Sequence, residues 1–283
     1  MAGMSTLYDL EILSLGAGIQ STALYLMALN GEFEKTPSAA IFADTQWEPK
    51  EVYEHVEKLQ QFGGDQIPIY TVTHGNLRQD TLDVIEGKKK RLSNPPFFVK
   101  DDNIRPNMAP DRGGMIWRQC TKDYKILPVQ KKMRELLGYK PRQRVKKTAR
   151  NWIGISVDEA SRMKDSRDKW IENYYPLVER RLSRNDCVGY LRDNGFESTT
   201  KSACIGCPYH SNKTWVDMKK NKPDQWLDAV DFDTRLRQGS LPGVTGKLYL
   251  SRHFEPLPQA VLQDYDENQI DMFEQECEGM CGV

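Results

Sequence analysis

The chain of 283 residues has no uninterrupted apolar stretch long enough for a bilayer-spanning helix, which excludes a membrane partner by this route. Its opening, "MAGMSTLYDLEIL", lacks a basic segment followed by an apolar one, so a secretory signal is not expected and a cytoplasmic location is. Net charge is absent too. Lys plus Arg and Asp plus Glu both number 40, which argues against a general nucleic-acid coat but not against a local basic patch. Histidine is scarce: the four residues form no metal-binding spacing with one another. There is no internal repeat, no Ser-His-Asp pattern and no paired-carboxylate signature. Apolar residues make up 39% and mean hydropathy is −0.67, as expected of a soluble chain with a charged surface. In a reducing compartment the six cysteines need a purpose other than disulfides.

What is present begins with "ILSLGAGIQSTALYLM" (12–27), where an apolar run stops at a glycine turn and a helical pattern starts at once. "LEILSL" (10–15) reads as a buried strand, and apolar residues recur at helical spacing from Gln20 to Asn30. "SAAIFAD" (38–44) and "IPIYTVTH" (67–74) read as further strands. Between them "EPKEVYEHVEKLQQFGG" (48–64) is amphipathic, with Pro49 at its start and two glycines at its stop. Alternating strands and helices predict βαβ units, and hence an α/β fold built on a doubly wound parallel sheet. Residues 75–118, rich in Pro, Gly, Asn and charge, read as an insertion or lid. A helix over 125–138 and a strand over 151–157 follow, and Gly154 in that strand implies a close backbone approach. Beyond 185 the pattern is helical (185–196, 213–236 and the tail). The expected organisation is therefore a nucleotide-binding domain over 1–184 and a helical C-terminal cap over 185–283.

A strand that turns directly into a helix leaves the first helical N–H groups without partners, and the helix dipole adds positive charge there. Glycines let an anion come close, so phosphate or sulfate is the natural occupant of residues 14–21. The candidate residues are Ser14, Gly16, Ala17, Gly18, Gln20 and Ser21. There is no Gly-Lys-Ser/Thr, so this is no Walker loop, and the third glycine of a dinucleotide fingerprint is missing. "ACIGCPYH" places Cys204 and Cys207 at a spacing that can bind one metal centre. "KPRQRVKKTAR" (140–150) and "GKKKR" (87–91) are basic. They read as solvated loops, as a wall for a polyanionic nucleotide, or as contacts to DNA or RNA phosphates. Trp117, Trp152 and Trp215 flank these segments and read more readily as core than as stacking platforms.

"SLGAGIQST" resembles the modified P-loop (PP-loop) of the adenine nucleotide α-hydrolase superfamily, on the side of the phosphoadenosine phosphosulfate (PAPS) and adenylyl sulfate (APS) reductases. The ATP pyrophosphatase branch has an Asp where Gln20 stands. "FADTQWEP" (42–49) resembles the family's Asp-Thr-Gly stretch, with Gln46 in place of Gly; the resemblance implies that the adenosine borders Asp44 and Thr45. "RQCTKDYKILPVQKKM" (118–133) resembles its cysteine-then-Lys/Pro segment. "GISVDEASRMKDS" (154–166) resembles its Gly-x-Arg-x-x-Glu-Ser-x-x-Arg stretch, with Ser156 for the first Arg. These matches make Gly154 and Arg162 candidate ligand residues, with Arg118 and Arg150 beside them as forked anion binders.

The resemblance further implies a 4Fe–4S cluster, with structural zinc or unligated thiols as alternatives. Cys120, Cys204 and Cys207 would be ligands, and Cys281 is the expected fourth, with Cys187 and Cys277 also open. "QECEGMCGV" resembles the reductases' tail, which makes Cys277 the nucleophile toward PAPS or APS and a thioredoxin-type protein the reductant. The runner-up is an ATP-dependent sulfurtransferase or a nucleic-acid-modifying enzyme of the DNA phosphorothioation type. A catalytically inactive nucleotide-binding regulator is the third reading.

Overall fold

The computed structural model describes residues 8–91, 93–100, 113–199, 202–260 and 262. The predicted first half forms as read: β1 (Leu10–Leu15), α1 (Ile19–Leu29), β2 (Ala39–Asp44), α2 (Lys50–Gly63) and β3 (Ile69–Thr73). The predicted lid is not a long coil. It opens with α3 (Leu77–Ile85), capped by the Asn76 side chain on the Gln79 amide, and it contributes two short strands, β4 (Phe98–Lys100) and β5 (Gly113–Met115). A π-helical segment (Thr121–Ile126) runs into α4 (Leu127–Leu136), and β6 (Ala149–Ile153) begins two residues earlier than its sequence pattern indicates. A short 3₁₀ segment (Val157–Arg162), β7 (Ile171–Tyr174) and α5 (Pro176–Glu179) follow. The remaining elements are α6 (Arg184–Asp193), α7 (Asn212–Asn221), α8 (Pro223–Gln238) and β8 (Lys247–Tyr249). The single helix expected over 213–236 is broken at Lys222, because Pro223 cannot continue the α7 hydrogen-bond ladder and instead starts α8.

Five parallel strands lie in the order β3-β2-β1-β6-β7. Side chains alternate between the two faces of this sheet. Leu13, Leu15, Ala40 and Phe42 face α1 and α2, whereas Ile12, Ile41, Ala43 and Ile153 face Val129 and Met133 of α4. Both faces are therefore covered, and the sheet is doubly wound. The chain leaves β1 for β2 on one side and returns through β6 on the other. The switch point lies between the carboxyl ends of β1 and β6, where open α/β sheets place ligands.

The elements beyond residue 184 divide between two cores. Helix α6 packs on α1, with Cys187 and Leu191 in the sheet core. Helices α7 and α8 and strand β8 instead form a second core with residues 77–99, where β4 pairs with both β5 and β8. Asp233, fully buried in α8, holds this unit together by accepting from the amides of Leu250 (3.1 Å) and Leu257 (2.8 Å). Among the described residues no helix is long and apolar enough to cross a membrane.

Candidate functional site

The glycine turn lies at the switch point. Residues 14–21 are all buried, and Gly18, the N-cap of α1, offers no side chain to the first-turn amides. Ala17 stands at φ +58°. On the loop after the neighbouring strand β2, Gln46 stands at φ +56°, where the resemblance expects glycine. Two non-glycine residues held in the left-handed region on adjacent loops are strained, a feature that clusters at ligand sites. Asp44 sustains the second strained residue. Its Oδ1 accepts from the Gln46 amide (2.7 Å) and from the Tyr53 hydroxyl (2.9 Å), and burial followed by this carboxylate pushes the Tyr53 phenol upward.

The hydroxyls expected to face an anion donate within the protein. Ser14 Oγ donates to Asn151 Oδ1 (2.9 Å), and Ser21 Oγ donates to the Gly18 carbonyl (3.3 Å). The close approach predicted at Gly154 is to the protein itself: a Cβ there would stand 2.7 Å from the Ser21 Cα and N. Gln20 donates from Nε2 to Glu159 Oε2 (3.1 Å), and Glu159 also pairs with Arg162. The Gln20 Oε1 is buried without a hydrogen-bond partner. Glu159 thus ties the 3₁₀ segment to the turn.

The second half of the site is built of cysteines. Cys120, Cys204 and Cys207 line one narrow cavity of about 20 Å³ together with Thr45, Lys125, Arg118 and Tyr209. Cys120 is placed where its amide and that of Gln119 both donate to the Asn94 carbonyl, just before the π-helical segment. The Cys204–Cys207 turn is docked on Trp47: Ile205 N donates to the Trp47 carbonyl (2.9 Å), and a Cβ on Gly206 would meet the indole at 2.2 Å. Trp47 is itself fixed by Nε1 on Asp228 Oδ2 (2.7 Å) and by Phe232. His210 Nε2 lies 3.0 Å from the Cys204 carbonyl and packs edge-on against Trp215.

Thr45 joins the two halves. It follows β2 directly, its Oγ1 donates to Glu48 Oε1 (2.9 Å), and it lies 3.2 Å from Cys204 Sγ. Lys125, buried, stands 3.7 Å from the same Glu48 oxygen, while Glu48 Oε2 is buried without a partner. Neither Glu48 nor Lys125 was legible as a site residue, because each becomes one only through burial beside a cysteine.

Three thiols bordering one cavity are the right chemistry for an iron–sulfur cluster or zinc. They are not converged: among the described residues no three His, Cys, Asp or Glu side chains are arranged to share one metal ion. The present cavity holds about one water, so either group requires the bordering loops to move apart. Cys277 and Cys281 lie outside the described residues.

Other expectations are redirected. Cys187 is buried against α1, away from the other three. Arg150, near the start of β6, stacks on Tyr8 and Tyr174 and pairs with Glu172 at 3.4 Å. It sits at the amino end of the sheet, opposite the glycine turn. The basic run before it shares that end and cannot wall a nucleotide bound at the turn. Trp152 and Trp215 are core, but Trp117 is 80% exposed.

No protein-family model and no curated protein matches the chain. Among solved structures it is similar to phosphoadenylyl-sulfate (PAPS) reductase from Candida auris in a phosphate complex. Identity is 12%, the match covers 66% of this chain and 74% of that one, and the TM-score is 0.36. So low a score fixes no activity, and the α/β assignment rests on the strand order above.

Proposed function

We propose that the chain binds an adenine nucleotide at the carboxyl end of its sheet and acts on a sulfonucleotide, PAPS or APS, as a reductase-like enzyme. The observation that supports this reading is Thr45. It brings Cys204 to within 3.2 Å of the loop beside the glycine turn, so an anion site and a sulfur-rich pocket share one end of the sheet. In the reaction the Cys277 thiolate attacks the sulfonate sulfur. The bond from that sulfur to the phosphate oxygen breaks, and AMP or adenosine 3′,5′-bisphosphate leaves with the electron pair. A dithiol protein of the thioredoxin type then attacks Sγ of the S-sulfocysteine, releases sulfite and ends as a disulfide. Arg118, at the cysteine cavity, and Arg162, held by Glu159, are the cations available to the sulfonate and phosphate groups. Cys120, Cys204 and Cys207, with Cys281, would hold a 4Fe–4S cluster, which when bound supplies an iron centre able to carry sulfur.

The test is sulfite release from PAPS or APS with reduced thioredoxin. Wild type is expected to turn over, and Cys277→Ser to lose turnover while still binding nucleotide. Full activity in Cys277→Ser, or none in wild type prepared without oxygen, would overturn the reading. Iron and zinc analysis with absorbance near roughly 400 nm tests the metal centre separately. A second reading, ATP-dependent sulfur transfer, is favoured by Glu159, which brings a carboxylate to Gln20 where the ATP branch carries its Asp. Pyrophosphate release from ATP tests it.

A further inference from the structure

Away from the glycine turn, a groove of about 340 Å³ runs between α3's carboxyl end, the segment after β5 and the loop after α8. Lys90, Arg91, Trp117 and Gln119 line it, over an apolar floor that includes Val84 and Leu241. No acidic side chain lines it among the described residues. Trp117 is the outlier among six tryptophans: the other five are buried or half-buried, and its ring lies open. Its main chain is nonetheless fixed, because Asn94 Nδ2 donates to the Trp117 carbonyl (3.1 Å) and Ile116 N donates to Phe97 (3.0 Å). The cations differ in the same way. Lys88 pairs with Glu86, and Lys89 with Asp80 and Asp83, while Lys90 and Arg91 have no ion-pair partner among the described residues.

We propose that this groove binds single-stranded nucleic acid, with Trp117 stacking on a base and Lys90 and Arg91 holding the flanking phosphates. An exposed aromatic face on a fixed main chain, beside cations with no ion-pair partner among the described residues, is the combination by which proteins track a single strand. A duplex hides its base faces inside the stack. A free nucleotide takes a site that covers most of its surface, and this groove leaves the indole open. The inference goes beyond the reductase reading and needs neither nucleotide nor cluster. Were it established, it would favour a nucleic-acid acceptor for the sulfur chemistry.

The experiment is fluorescence anisotropy of the whole chain with labelled oligo-dT of about 20 nucleotides, against a matched duplex and AMP as competitors. Binding should be strongest for the single strand. Trp117→Ala should weaken it about tenfold or more, and Trp117→Phe should keep most of it. The double variant Lys90→Gln with Arg91→Gln should lower affinity and flatten the dependence of log K on log salt by about 1.4, two phosphates' worth. Equal binding of duplex, preferential displacement by AMP, or unchanged affinity in Trp117→Ala would each overturn the proposal. All three positions lie at the surface, so these variants read binding and not folding.

Discussion

The glycine turn and the cysteine pocket share one end of the sheet but are built by opposite means. The turn comes from a single stretch of chain, Ser14 to Ser21, buried in the sheet core and closed by Gly154, with Asn151 and Glu159 as distant polar ties. The pocket is assembled from separated pieces of chain: Thr45 to Glu48, Leu77, Pro95 and Pro96, the segment from Arg118 to Lys125, and the turn from Cys204 to Tyr209. Its cysteines border one cavity because the second core, which includes Trp47 and Phe232, holds the Cys204–Cys207 turn beside the loop after β2. One half is set by local backbone geometry, and the other depends on tertiary docking. The two should therefore fail separately.

The largest expected effect is on the pocket. Trp47→Ala removes the surface on which Ile205 and Gly206 rest and should cost about 3–5 kcal/mol in urea unfolding. A loss no greater than that of a surface substitution would show that the cysteine turn holds without the indole, and the comparison would break. Next comes the turn. Gly154→Ala forces a methyl against the α1 backbone and should cost about 1–3 kcal/mol, read by the same unfolding curve. A neutral result would mean that α1 can shift, and that the turn is looser than its burial indicates.

An effect of similar size sharpens the comparison through pH. His55, on α2 and 2.9 Å from Thr22 of α1, belongs to the turn's side of the molecule; burial, then the Lys58 charge, pushes its pKa down to about 4. The unfolded chain takes up the proton near 6.5 and the folded chain resists it. Stability from this residue is thus complete above about pH 6.5 and is lost as pH falls toward 4. Between pH 7 and pH 5 the loss should be about 2 kcal/mol. His55→Gln should remove that slope from denaturant titrations, and an unchanged slope would place the proton uptake elsewhere.

The sequence by itself determined the strand–turn–helix opening, the βαβ alternation and the parallel sheet, because apolar periodicity and glycine placement act over a few residues and fix local backbone conformation. It also marked Cys204 and Cys207, whose spacing is local. Only the tertiary structure decided that Cys120 borders the same cavity, that Gly154 faces α1, and that Arg150 and the basic run lie at the wrong end of the sheet for the turn. It alone gave Gln46 its left-handed conformation, buried Lys125 beside Glu48 and left Trp117 in the open. The physical reason is shared. These properties depend on which surfaces two cores bury against each other, and burial is a property of the folded chain that no short window of residues contains.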